Sequence, residues 1–266
     1  MEIKLFVTDL DGTLLPTGIK VSENNIQAVK DAVAAGITVT IATGRMYRAA
    51  LPVAQALGVN VPIITYNGAL IKSVEGEILH STYLDPGLVK EMMDFCESKN
   101  WYVQSYSDDE LYFPEHNECA KYYENAQKVT GRAVGWDGLR KYAEHVPKLL
   151  CVTAGAEETA QRIKEILKQF KGRVDAVSSH PLYAEIIPLG VSKASAIGYL
   201  AEKMGIQLEE IMAIGDSDND LPMLKAAGKS IAMGNAIPEV KEACDYVTGK
   251  CDEDGFAEAI YRYVLK

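Results

Sequence analysis

A chain of 266 residues, 48% hydrophobic and 24% charged, is built like a folded globular protein and can bury one large core or two modest ones. A formal net charge of −10 argues against a general nucleic-acid or anionic-membrane binder, though it allows a local basic pocket. Five cysteines without a C-x-x-C pair and four scattered histidines argue against a zinc site and for reduced thiols in a cytoplasmic protein.

Ile3 to Val7 reads as a buried strand that stops at Asp9-Leu10-Asp11-Gly12-Thr13, too short a run for a secretory signal. No later run approaches the ~20 apolar residues that span a bilayer. Val21-Ser22 opens a helix with Ile26, Val29, Ala32 and Val33 on one side. Ser22 is its N-cap, Val21 and Ile26 a hydrophobic staple, and Gly36 its stop. Ile37 to Ala42 is a second strand and runs into Thr43-Gly44-Arg45. A helix over about 47–57 and a third strand, Pro62 to Thr65, lead to Tyr66-Asn67-Gly68-Ala69. Strands and helices alternating over short turns predict a right-handed βαβ unit and a parallel sheet, whose ligands bind at the strands' carboxyl ends.

Leu70-Ile71 and Ile78-Leu79, with Glu75-Gly76 between them, predict a hairpin leading away from that sheet. From Asp85 the chain turns more aromatic and mixed. Helices are expected at 88–98, 120–129 and 157–170, and strands at 101–106, 111–114, 148–153, 173–177 and 183–187. This is the pattern of a second domain inserted in a parallel-sheet protein. A helix from Ser192-Lys193 to about Met204-Gly205 and a strand, Ile211 to Ile214, lead to Gly215-Asp216-Ser217-Asp218-Asn219-Asp220. A short helix at 221–226, strands at 230–233 and 246–247, and a terminal helix at about 255–264 complete the chain. The expected domains are 1–82 with 188–266, and 83–187.

The chemistry gathers at strand ends. In extended backbone Asp9 and Asp11 share a face. Two carboxylates so close call for a cation or a shifted pKa, and a hard divalent ion, Mg²⁺, suits them. Gly12 permits the turn and Thr13 adds a hydroxyl. Thr43, with Gly44 after it, can offer a hydroxyl and a backbone N–H to a phosphate. Lys193 stands in a helix's first turn, where the macrodipole disfavours a cation; an anion lying across that N-terminus would explain it. The acids after Ile214 again require a cation. Asp216 is the best metal ligand, Asn219 can reach a phosphate oxygen or position Asp9, and Asp220 is expected to hold the metal's waters.

Asp9-Leu10-Asp11-Gly12-Thr13-Leu14, Thr43-Gly44-Arg45, Lys193 and Gly215-Asp216-x-x-Asn219-Asp220 together resemble the four motifs of the haloacid dehalogenase superfamily, in its Cof-type branch. Tyr66-Asn67-Gly68-Ala69 and Gly234-Asn235-Ala236 also look like that branch. The resemblance covers the chain's two ends. The middle matches the family's C2 cap in size and position but shows no specific motif. Ala194 departs from the Gly that often follows the lysine, which bears on how closely the helix backbone approaches a phosphate.

The resemblance implies an α/β fold: a Rossmann-like parallel-sheet core with an inserted α+β cap of C2 type. It further implies a Mg²⁺-dependent phosphatase with Asp9 as nucleophile and Asp11 as general acid and base. Mg²⁺ would be bound by the Asp9 carboxylate, the Asp11 backbone carbonyl and Asp216. Leu10, Thr43, Gly44, Lys193 and Asn219 would hold the phosphate. Arg45, Asn67 and Glu185 are plausible substrate contacts, and Arg45 with Arg48 either reads a second anionic group or lies on a solvated helix face. The expected partner is a small phosphorylated metabolite, a sugar phosphate above all, with no nucleic acid, no membrane, and a monomer or weak homo-oligomer in the cytoplasm. A phosphomutase or phosphotransferase on the same core is the alternative. A receiver-type phospho-acceptor fits less well, because the acids are split by one residue and the second acid cluster follows Lys193.

Overall fold

The computed structural model describes residues 2–16, 18 and 20–265. The chain divides into two compact units: residues up to 45, 50–80 and from 192 onward form one, and 46–49 with 81–191 the other.

In the first unit, strand β1 (Leu5–Thr8) is buried along its whole length, as an apolar run covered on both faces must be. The helix Glu23–Ala34 follows. Ser22 Oγ accepts the N–H of Asn25, and Gly36, left-handed at φ 87°, ends the helix with its N–H on the Val33 carbonyl. Its buried face is Asn25, Ala28, Val29 and Ala32. Val33, expected there, is 47% exposed, because it is turned about 100° from Ala32. Strand β2 (Thr38–Ile41) and the helix Tyr47–Leu57 come next. Strand β3 (Ile63–Thr65) is joined in parallel to the end of β2 by a bridge between Ala42 and Ile64, and it also forms a three-stranded sheet with β4 (Leu70–Lys72) and β5 (Ile78–Ser81).

The second unit is a six-stranded sheet with helices Pro86–Ser98, Glu118–Gln127 and Ala156–Gln169. Its strands are β6 (Gln104–Ser107), β7 (Glu110–Phe113), β8 (Arg132–Ala133), β9 (Leu149–Val152), β10 (Val174–His180) and β11 (Tyr183–Pro188). They lie in the order β10-β11-β9-β6-β7-β8, antiparallel except for β7 with β8. The acidic turn is tight: Asp108 and Asp109 are both left-handed (φ 52° and 61°), and Ser107 pairs with Glu110, as a two-residue hairpin turn requires. The core packs Val89, Met92 and Met93 with Leu149, Ala184 and Ile186. Strand β6 begins three residues later than expected and β10 runs three further, past a bulge.

Returning to the first unit, the helix Lys193–Met204 leads to β12 (Ile211–Gly215), β13 (Lys229–Ala232) and β14 (Tyr246–Val247). The main sheet is parallel throughout, in the order β14-β13-β12-β1-β2. Its register pairs Thr8 with both Ile41 and Ile214. The residues just past that row, Asp9, Ala42-Thr43 and Gly215-Asp216, therefore emerge side by side at the carboxyl edge. The expected terminal helix is α-helical over Gly255–Ala259 and continues as a wider π-helical segment, Ile260–Val264. Among the described residues no helix is long and apolar enough to cross a membrane.

Candidate active site

Lys193 sits at the centre of the carboxyl edge. It is the first residue of a helix capped by Ser192, whose Oγ accepts the Ser195 N–H while Ser195 Oγ bonds the Ser192 N–H. Its Nζ donates to Asp9 Oδ1 at 2.6 Å and to Asp220 Oδ1 at 2.5 Å, and its side chain is fully buried. The two carboxylates account for a cation at a helix N-terminus. Burial alone would lower the ammonium's pKa, but Asp220 and Asp9 outweigh it and raise it, so Lys193 stays charged.

The Asp220 carboxylate does more than pair with Lys193. Its Oδ2 accepts the N–H groups of Asp216 at 2.9 Å and Ser217 at 3.1 Å, tying the acidic loop to itself. Both of its oxygens are thus engaged by protein groups, which orients Lys193 and the loop. Asp216 accepts from Thr13 Oγ1 at 2.8 Å. Gly12 lies against it at φ 80°, and a Cβ there would stand 2.4 Å from Asp216 Oδ2. Only glycine fits that approach. Asn235, left without a role in the sequence, donates to the Gly12 carbonyl at 2.8 Å and accepts the Cys251 N–H, pinning the same turn from behind.

Carboxylate oxygens of Asp9, Asp216 and Asp220 all lie within 4.8 Å of one another. Burial, reinforced by Asp220, pushes Asp216 up to about 7. Burial also drives Asp9 well above the usual carboxylate range, against the pull of Lys193 and with Asp220, Asp216 and Asp11 adding to it. Three acids around one ammonium leave two excess negative charges when ionised. An all-oxygen donor set of that charge fits a hard divalent cation.

Asp11 stands apart from this cluster. Its carboxylate receives Arg45 Nε at 2.8 Å and Nη2 at 2.6 Å, a two-pronged grip, and Arg45 Nη2 also donates to the Gly18 carbonyl. Arg45 is 3% exposed, whereas the Asp11 side chain is 43% exposed. Arg45 is therefore neither on a solvated helix face nor directed wholly at a substrate; it holds Asp11. Thr43 is fully buried, its N–H on the Ile64 carbonyl and its Oγ1 accepting the Arg45 N–H, so the hydroxyl rather than its own N–H is the group it can offer an anion. Gly44 is carried, buried, on the same turn. The Leu10 carbonyl accepts the N–H groups of Thr13, Leu14 and Leu15, which curls the first loop around Asp11. Asn219 Nδ2 donates to Asn67 Oδ1 at 2.9 Å.

Two expected contacts lie in the second unit. Glu185, 1% exposed, pairs with Lys148 Nζ at 2.5 Å, so its charge is balanced within that unit's sheet. Arg48 pairs with Glu110 and donates to the Thr130 carbonyl. The sequence also gave no sign of the Thr13–Asp216, Arg45–Asp11 or Asn67–Asn219 contacts. Each residue was visible in a motif, but its partner was not.

The family model for haloacid dehalogenase-like hydrolases matches residues 6–260. A 5-amino-6-(5-phospho-D-ribitylamino)uracil phosphatase of Bacillus subtilis is 36% identical, over 96% of each chain. The crystal structure of a haloacid dehalogenase-like hydrolase from Bacteroides thetaiotaomicron superposes with a TM-score of 0.87 at 32% identity, covering 98% of this chain and 99% of that one. A HAD subclass IIB sugar phosphatase superposes at 0.84 with 28% identity, over 99% and 100% of the two chains. With a buried lysine bridging two carboxylates at the carboxyl edge of a parallel sheet, and an α+β insertion, this chain belongs to the haloacid dehalogenase-like hydrolases.

Proposed function

We propose that the protein is a Mg²⁺-dependent phosphatase of small phosphate monoesters, with sugar and polyol phosphates as its substrate class. The observation that carries this reading is the placement of Asp9 at the carboxyl edge of β1, held by Lys193 beside Asp216, with Asp11 two residues on and free of that cluster. The relatives add weight, since one acts on a phosphorylated ribitylamine and another on sugar phosphates.

In this mechanism Asp9 attacks phosphorus in line, the P–O bond to the leaving alcohol breaks, and an aspartyl-phosphate forms. Asp11 delivers its proton to the departing alkoxide. It then takes one from the water that attacks the intermediate, returning Asp9 and inorganic phosphate. The Arg45 pair holds Asp11 beside the site, and for the first step Asp11 would carry its proton on an oxygen released from that pair. Lys193, the Thr43 hydroxyl, the backbone at Leu10 and Gly44, and the Asn219 amide neutralise and orient the nonbridging oxygens. Asp9 and Asp216, with the Asp11 carbonyl, would hold Mg²⁺, which supplies charge neutralisation between the nucleophile and the phosphoryl group. Residues 1–82 and 188–266 form the catalytic core in this reading, and 83–187 the cap that selects the substrate.

The test is inorganic phosphate release from a panel of phosphorylated sugars, polyols and nucleotides, with and without Mg²⁺. Release should need the ion, favour sugar and polyol phosphates, and vanish in Asp9→Asn while the thermal melt is retained. A folded Asp9→Asn protein with full turnover would refute the scheme. Phosphate passed to an organic acceptor rather than to water would mark a phosphotransferase.

A further inference from the structure

Tyr66, Asn67 and Gly68 follow one another in left-handed backbone, at φ 52°, 57° and 106°, and all three are buried. Two of the three carry side chains, for which this region is unfavourable. Such a turn persists only where its surroundings over-determine it. Here they do. The Tyr66 N–H donates to the Arg45 carbonyl at 2.9 Å and the Asn67 N–H to the Thr43 carbonyl at 3.0 Å. Gly68 lies against the start of the Lys193 helix, where a Cβ would stand 2.2 Å from the Ser192 carbonyl oxygen. Asn67 Oδ1, 152 residues away in sequence, takes the amide of Asn219. One strained turn thus touches the Thr43–Arg45 segment, the helix that begins with Lys193, and the acidic loop.

The Asn219 side chain has little freedom left. Its Oδ1 accepts from Ser217 Oγ at 2.8 Å. Of the two hydrogens on Nδ2, one lies on Asn67. The direction of the other follows from the planarity of the amide.

We infer that Asn67 is a positioning residue, which aims the remaining Asn219 N–H at the phosphoryl oxygens and does not itself serve as a substrate contact. The inference rests on the phosphatase reading for the identity of the anion. It explains why this position holds asparagine. Glycine would adopt the left-handed turn more readily but has no acceptor for Asn219.

Asn67→Gly therefore separates the two roles, since it keeps the turn and removes Oδ1. The experiment compares the parent, Asn67→Gly, Asn219→Ala and the double variant. It measures Mg²⁺-dependent hydrolysis of p-nitrophenyl phosphate, calorimetric binding of inorganic phosphate, and thermal melts. Loss of one hydrogen bond to an oriented donor should lower kcat/KM about tenfold and weaken phosphate binding by a similar factor. The melt should stay within about 6 °C of the parent's, relief of the left-handed strain offsetting the unpaired Asn219 N–H. In the Asn219→Ala background Asn67→Gly should cost less than about twofold, because the group it aims is gone. Parental kcat/KM and phosphate affinity in Asn67→Gly would overturn the inference, and so would losses that multiply in the double variant. Should the parent release no phosphate, the phosphatase reading falls alone as long as it binds inorganic phosphate more tightly than Asn67→Gly. Equal phosphate affinities in those two proteins would overturn the positioning role whatever the turnover.

Discussion

Replacing Lys193 by methionine keeps most of the side chain's length and removes its charge. Asp9 and Asp220 would then lose an ammonium at 2.6 and 2.5 Å, in a setting where Lys193 and Asp220 are fully buried and the Asp9 side chain is 6% exposed. Removing one partner of a buried ion pair costs about 3–5 kcal/mol. For a protein of this size each kcal/mol moves the midpoint by about 2–4 °C, so the metal-free variant should melt about 6–20 °C below the parent. On the proposed function, Mg²⁺ at Asp9 and Asp216 would restore part of the missing positive charge, and the gap should narrow in saturating Mg²⁺. Calorimetric melts of both proteins at neutral pH, with a chelator and then with Mg²⁺, measure both quantities, and phosphate release should be lost in either condition. A metal-free Lys193→Met protein melting within 2 °C of the parent would refute the reasoning. It would mean that the acids shed their charge without penalty and that Lys193 does not organise the cluster.

Two further outcomes follow from the same geometry. Burial raises Asp216 to about 7 and Asp9 well above its ordinary value. A folded pKa above the unfolded one makes a stability contribution that is complete below the unfolded value, near 3.8, and is lost as pH climbs toward about 7. Since Mg²⁺ takes the deprotonated acids, its stabilisation of the melt should grow from pH 5 to pH 8; an equal shift at both would contradict the assignment. Arg45→Lys replaces a two-pronged grip on Asp11 with a single point of charge, and should lower kcat about tenfold or more with little change in KM. A raised KM at unchanged kcat would instead make Arg45 a substrate contact.

Much of this was legible in the sequence, for a physical reason. Acids placed directly after buried apolar runs are intelligible without a structure, because a parallel sheet delivers its strand ends to one edge. Asp9, Thr43 and Asp216 were readable on that ground alone. Lys193 was noticed because a cation opposes the helix dipole, but its carboxylate partner Asp9 lies 184 residues away and no local pattern names it. Arg45 and Asn67 were readable as loop residues near the site, but their bonds to Asp11 and Asn219 were not, since proximity in sequence says nothing of which way a side chain turns. Asp220 was expected beside a metal because it stands among acids; its bonds to Lys193 and to two backbone N–H groups were not readable from the sequence. The third strand is short: β3 has three residues joined in parallel to the end of β2 by one bridge, and its antiparallel pairing with β4 was not readable.

The order of strands in the parallel sheet also bears on how the protein is made. Leu5 pairs with Ile211, and β1 lies inside the sheet, between β2 and β12. A ribosome releases Asp9 about two hundred residues before the strand that must flank it. Every contact within 81–191 is available before then, so the inserted unit can fold while the sheet that will carry the chemistry is still missing its centre. Closing that long loop makes sheet assembly the late and slow event. Until Lys193 and Asp216 arrive, the nascent chain holds a potential nucleophile with nothing to arm it.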